Sequence, residues 1–171
     1  MQFSITTAAV ALAALVGTVA GESHTVHFDN RCGNGTPMLL KDGKVLSKGE
    51  DYTSNGPLKA AIAYLQTGAS PPRLHLGRKC GFNSEGCTMI EPTLVNPDPA
   101  SPGSGSSVDI SLIPPLAFSV KSGFHYVNGC DGAGAVCDNQ NCNTAFHKPD
   151  DTHVQVACQT PNVNLVITFC G

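Results

Sequence analysis

Short runs in which apolar and polar residues alternate cover much of this chain, and clusters of Gly, Pro, Asn, Asp and Ser bound them. A period of two belongs to half-buried β-strands. His24-Thr-Val-His-Phe28 begins the series, with Val26 and Phe28 on the inward face. Met38–Leu40 and Lys44–Leu46 flank Asp42-Gly43, a strong hairpin signal. Strands are expected over Thr88–Val95 and Val108–Ile113, as a pair around Lys121-Ser-Gly123 within Ala117–Val127, and over His153–Cys158 and Val163–Cys170. Ser54–Thr67 fits two templates. Ala60, Ala61, Ala63 and Leu65 favour a helix, with Pro57 in its first turn, Ser54 or Asn55 as cap and Gly68 as stop. A strand there sets Ile62, Tyr64 and Gln66 on one face against Ala61, Ala63 and Leu65 on the other. Pro71-Pro72 then breaks the chain before the short basic run Arg73–Lys79.

Composition sharpens this picture. Charged residues are 13% of the chain, and 18 Gly and 12 Pro are spread along it, which favours turns and short strands. The apolar run Ala8–Ala20, ending in Thr18-Val19-Ala20, is expected to be a signal peptide over residues 1–20, although no Lys or Arg precedes it. The run is short for a membrane span and no second one follows. Residues 21–171 then make one secreted domain, without a membrane after processing. A net charge of −3 leaves no basic footprint for nucleic acid. All 8 cysteines follow the leader, and an even count in that setting reads as four disulfides. The competing reading is a zinc site at Cys137, Cys142 and His147, which secretion disfavours.

The chemistry gathers in Cys87–Val120. Each of its two strands carries one carboxylate among apolar neighbours, Glu91 and Asp109, and pairing of the strands brings both onto one surface. Paired carboxylates serve glycosidic-bond cleavage or sugar-hydroxyl binding. Glu91, between Ile90 and Pro92, suits a proton donor raised by desolvation, and Asp109 an ionised partner. A structural reading has the same acids bonding backbone amides. Phe82, Tyr64, Tyr126 and Phe146 are candidate sugar-stacking platforms, each also a candidate core residue. Asn34-Gly-Thr36 is an N-glycosylation sequon. Processing just before His24 would instead make a copper-binding amino-terminal histidine, with a partner among His27, His75, His125, His147 and His153.

Five segments in order resemble the thaumatin-like family. Thr25-Val-His-Phe-Asp-Asn-Arg-Cys32 looks like its first strand. Thr88-Met-Ile-Glu91-Pro-Thr-Leu-Val-Asn96 looks like its Thr-Leu-Ala-Glu motif, and Val108-Asp109-Ile-Ser-Leu-Ile113 like its Asp-(Ile/Val)-Ser-Leu-Val motif. Ala117–Val120 resembles the following strand, and Asn128-Gly-Cys130 the start of its cysteine-rich lobe. The chain also resembles short secreted fungal proteins labelled "glycopeptide". The family resemblance implies a mainly β fold, a thaumatin-like β-sandwich with a small disulfide-rich lobe and at most one short helix. It implies an acid-lined cleft that in several members binds β-1,3-glucan and in some slowly cleaves it. The family's cleft Glu falls at Glu91 and its first Asp at Asp109. Its next Asp falls at Pro114, and its cleft Arg has no direct counterpart, leaving Arg78 or Lys79 as substitutes. Expected pairs are Cys32–Cys170, Cys80–Cys87, Cys130–Cys158 and Cys137–Cys142.

The function expected is that of a secreted, cell-wall-associated monomer without cofactor or metal. It binds a polysaccharide such as β-1,3-glucan through a partly retained cleft of Glu91, Asp109, Arg78 and Tyr126. The alternatives are a weak endo-β-1,3-glucanase using Glu91 and Asp109 as catalytic pair, and a copper protein at His24.

Overall fold

A computed structural model describes residues 21–68 and 80–171. The expected leader (residues 1–20), the basic run Arg73–Lys79 with Arg78, and His75 lie outside the described residues. Among the described residues twelve strands follow one another: β1 (Ser23–Asn30), β2 (Thr36–Lys41), β3 (Lys44–Ser47), β4 (Tyr52–Asn55), β5 (Ile62–Gln66), β6 (Met89–Thr93), β7 (Ser106–Ser111), β8 (Ser122–Val127), β9 (Gly134–Cys137), β10 (Ala145–Phe146), β11 (Val156–Cys158) and β12 (Asn164–Phe169). A five-stranded sheet runs β4-β1-β12-β8-β9. A seven-stranded sheet runs β10-β7-β6-β5-β2-β3, with β11 also on β7. The only helical turn among the described residues is the 3-10 turn Thr152–Val154.

The alternation seen in the sequence is what joins the two sheets. Val26, Phe28, Phe124, Tyr126, Leu165, Ile167 and Phe169 from one sheet meet Leu65, Ile90, Val108 and Ile110 from the other in one buried core. The Phe28 and Phe169 rings stack with centroids 6.3 Å apart. β1 lies parallel to β12, so first and last strands pair in the middle of their sheet. The Cys32–Cys170 disulfide ties their ends across a sequence separation of 138. Three further disulfides join Cys80 to Cys87, Cys130 to Cys158 and Cys137 to Cys142.

A second, smaller cluster sits on the far face of the seven-stranded sheet. Met38, Leu40, Tyr64 and Met89 pack there against the Cys80–Cys87 bridge. This cluster explains why Ser54–Thr67 is not a helix. Ala61, Ala63 and Leu65 enter the main core while Tyr64, flanked by Ile62, enters the second cluster, so β5 is buried on both faces between β2 and β6. Ala60 takes a positive φ of 52°, and Leu58 bridges to Leu94, which breaks any helical run. Tertiary burial overrides the helix propensity of its alanines.

Two other expectations need correction. Ala117–Val120 is not a strand. After the turn at Pro114-Pro115 the chain leaves the sheet and is held by Ser119 N donating to Thr88 Oγ1 at 2.9 Å, and by Thr88 Oγ1 donating to the Val120 carbonyl at 3.1 Å. Only Ser122–Val127 of that expected pair is a strand. The expected strand His153–Cys158 shortens to Val156–Cys158, its first part forming the 3-10 turn.

Loop-closure entropy separates the disulfides by the length each closes. For separations of 138 and 7 the entropic model gives about 5 and about 2 kcal/mol. Replacing both Cys32 and Cys170 by Ser should therefore lower stability at least twice as much as replacing Cys80 and Cys87. Urea unfolding of the two double variants checks this, and equal losses would contradict it.

Candidate functional site

The site is built on the β6–β7 pair. Their antiparallel register places Glu91 directly opposite Asp109, Thr93 opposite Ser107 and Met89 opposite Ser111. Ile90, Val108 and Ile110 point into the core, so the alternate residues share the outward face. Neighbouring strands complete that face. The Ala63–Ile90 register brings Ile62 beside Glu91 on one side. On the other, β11 pairs with Ser106–Val108 and β10 with Ile110–Ser111, so Asp109 falls between them and Gln155 arrives next to it. Ala60, Ala61, Ile62, Thr93, Ser107 and Gln155 line a groove of about 400 Å³ with the two acids.

The hairpin ends are pinned by side chains. Buried Ser106 accepts from Val95 N at 3.0 Å and donates to the Val95 carbonyl at 3.2 Å. Gly105 passes so close to the last strand-like turn that a Cβ there would lie 2.5 Å from the Cys158 carbonyl, and its N–H donates to Gln159 Oε1 at 3.0 Å. Ala60 N donates to Thr93 Oγ1 at 3.0 Å, which holds the chain entering β5 against the groove.

The electrostatics raise Glu91 as its apolar neighbours suggest, and raise Asp109 as well. Asp109 is 8% exposed and its carboxyl is pushed up to about 6, first by burial and then by the charge of Glu91, with Gln155 pulling the other way. Glu91 is exposed as a residue, yet burial of its carboxyl in the groove raises its pKa too, with Asp109 and Ser111 pulling down. Both acids thus keep their protons to higher pH than ordinary carboxyls. The two behave as one proton-sharing pair, since like charges this close resist joint ionisation.

Other candidates fall elsewhere. Tyr126 is fully buried, packs in the main core and donates its hydroxyl to the Val156 carbonyl at 2.9 Å, so it is not a ligand contact. Tyr64 is equally buried and donates to the Phe82 carbonyl, and Phe146 is buried as well. Phe82, 56% exposed, is the one platform candidate open to solvent. His24 is fully buried, with Nδ1 donating to the Val163 carbonyl at 2.7 Å and Nε2 3.0 Å from Glu22 Oε1. Both ring nitrogens are engaged in the chain that carries Glu22, and the Nδ1 bond to the Val163 carbonyl competes with a metal at this ring. Cys137 and Cys142 are bonded to each other and offer no thiolates, and His147 Nε2 contacts the Cys142 carbonyl at 2.9 Å, which removes the zinc reading. Pro114 lies outside the groove lining, which holds no third carboxylate among the described residues. Thr93 and Ser107 were missed as lining residues although strand alternation from Glu91 and Asp109 points to them. Gln155 had no such signal, because only the β11 pairing brings it there.

Comparison of the whole fold places it. A thaumatin-like xylanase inhibitor, TLXI, superimposes with a TM-score of 0.52 at 20% identity, over 86% of this chain and 99% of that one. The fold is thaumatin-like. The protein elicitor MoHrip2 from Magnaporthe oryzae superimposes with a TM-score of 0.50 at 13% identity, over 88% of this chain and all of its own. No protein-family model matches the sequence, and no curated protein does. At these identities the likeness is one of fold, and a thaumatin-like domain carries its function in its site residues.

The raised Asp109 makes a stability prediction with a definite sign. A carboxyl whose folded pKa exceeds its unfolded value holds its proton longer in the folded state, so its contribution to stability is lost as pH rises from 3.8 through about 6. A gap of about two units corresponds to about 3 kcal/mol. Asp109→Asn should leave stability near pH 3.5 unchanged and raise it by up to about 3 kcal/mol at pH 7.5. Denaturant unfolding of both proteins at the two pH values checks this through their difference, which cancels the other acids. No gain at pH 7.5 would mean that Asp109 is not held above its ordinary range.

Proposed function

We propose that this thaumatin-like domain binds a neutral polysaccharide of the β-1,3-glucan class in the groove over Glu91 and Asp109 without cleaving it. The observation that carries this reading is the direct cross-strand opposition of the two acids at the floor of a groove edged by Thr93, Ser107 and Gln155. Below about pH 6 the pair keeps a proton and presents acceptor oxygens and an O–H donor side by side, and above it the carboxylates accept from sugar hydroxyls. Sugar hydroxyls need both, and hydroxyl and amide neighbours extend the set. The apolar rim of Ala60, Ala61 and Ile62 offers contact to the C–H face of a ring.

The groove lining argues against turnover: where the family resemblance places a further acid this chain has Pro114, and no third carboxylate lines the groove among the described residues. Arg78 stays a proposed rim contact on sequence alone. Four disulfides suit an oxidising, extracellular setting, and no helix among the described residues is long and apolar enough to cross a membrane. Secretion through the residue 1–20 leader and residence at a cell wall complete the reading.

The test is sedimentation with insoluble β-1,3-glucan together with an assay for new reducing ends. The wild-type protein should bind and release none. Glu91→Gln and Asp109→Asn should each weaken binding about tenfold, the loss of roughly 1.4 kcal/mol of hydrogen bonding. Equal binding by both variants would remove the groove from the account. Reducing ends that vanish in Glu91→Gln would replace binding by hydrolysis.

A further inference from the structure

A second groove lies at the other end of β5 and shares no lining residue with the first. It encloses about 490 Å³, and Gly35, Thr36, Lys48, Gln66, Thr67 and Phe82 form its walls. Phe82 and Val136 are the two large apolar side chains left exposed among the described residues, and Phe82 is the more open. Phe82 is not a loosely tethered side chain. Its loop is closed by Cys80–Cys87, and its carbonyl accepts the hydroxyl of buried Tyr64. Opposite it, Thr36 and Gln66 are paired across β2 and β5. An exposed aromatic face beside hydroxyl, amide and ammonium groups is a surface for a sugar ring, apolar on one face and hydrogen-bonding along its edge.

The wall of this groove is the glycosylation sequon itself. Asn34-Gly35-Thr36 enters β2 with Gly35 and Thr36 lining the cavity and Asn34 exposed beside them. The turn is held in place: Asn30 Nδ2 donates to the Asn34 carbonyl at 3.1 Å and the Gly35 carbonyl at 3.4 Å. Gly35 has φ +79°, and a Cβ there would come 2.8 Å from Leu65, so the turn sits directly on β5. Asn34 lies within about 7 Å of Thr36 along the chain. Its position next to Gly35 and Thr36 in the chain puts a sugar attached to its amide within reach of the groove.

We propose that this groove is the seat of the protein's own Asn34-linked glycan, whose first N-acetylglucosamine lies across Phe82. Lys48, Gln66 and Thr67 bond its hydroxyl and acetamido groups. The glycan covers an aromatic side chain that is exposed among the described residues, and it holds the Cys80–Cys87 loop against β2. This role is independent of the groove at Glu91 and Asp109.

The full chain, expressed with its own leader in a glycosylating secretory host, provides the test. Intact mass reports occupancy, and an endoglycosidase that leaves one N-acetylglucosamine trims the glycan. The glycosylated protein and its trimmed form should share a melting midpoint about 2–4 °C above that of Asn34→Gln. In Phe82→Ala, glycosylated and Asn34→Gln forms should melt together. An unmodified Asn34 in the secreted protein would overturn the proposal. So would a glycan gain of the same size in Phe82→Ala, or loss of the gain on trimming to one sugar.

Discussion

The register between β6 and β7 is the constraint on which the rest depends. Side chains alternate along a strand, so a slip of one residue would exchange every inward group for an outward one. In the observed register Ile90, Val108 and Ile110 close the core while Glu91 and Asp109 stand opposed on the outer face. The alternative would bury two carboxylates between sheets, at a cost no pairing there could offset. The hydrophobic effect that stabilises the sandwich is thus the same force that aims the acids. Ser106, bonded to both backbone groups of Val95, and the Thr88–Ser119 bonds hold the two ends of this hairpin where the core wants it.

Two features give the outer face its character. Toward one end it is apolar and stapled, with Tyr64, Met38 and Met89 under the Cys80–Cys87 loop. Around Glu91 it is polar, and its acids sit on rigid, paired backbone rather than on a loop. Asp109 there keeps its proton up to about pH 6, well above the ordinary range of an aspartate. Such a group lowers stability at neutral pH, and perturbed carboxyls of this kind cluster at functional sites. The missing third acid supports the proposed reading, hydrogen-bonding of a polyol rather than its cleavage.

How much of this was legible depended on the kind of signal. The period of two placed Val26 and Phe28 inward and set Glu91 and Asp109 on equivalent faces of neighbouring strands. Segments bearing the resemblance pointed to a thaumatin-like sandwich, which the fold comparison supports. Periodicity could not decide Ser54–Thr67, because a central strand buried on both faces has no polar side to reveal it. Tyr126 illustrates the limit for aromatics: chain order does not say whether a ring on an alternating strand faces ligand or core, and here the Val156 carbonyl gave its hydroxyl a buried partner. The rise at Asp109 was hidden for a related reason. Sequence showed apolar neighbours around Glu91, whereas Asp109 falls between β10 and β11, which are distant in the chain. Ala117–Val120 has strand-forming residues but bonds to Thr88 instead of to a sheet neighbour.

Carboxyl-carbon NMR titration of the labelled protein, assigned with Glu91→Gln and Asp109→Asn, tests the central claim most directly. The account predicts that Asp109 titrates near pH 6, that Glu91 titrates above the ordinary glutamate range, and that Glu91→Gln lowers the Asp109 midpoint by removing the neighbouring charge. Two carboxyls titrating independently at ordinary values would show that the acids do not share a proton, and the β6–β7 pair would then be no site at all.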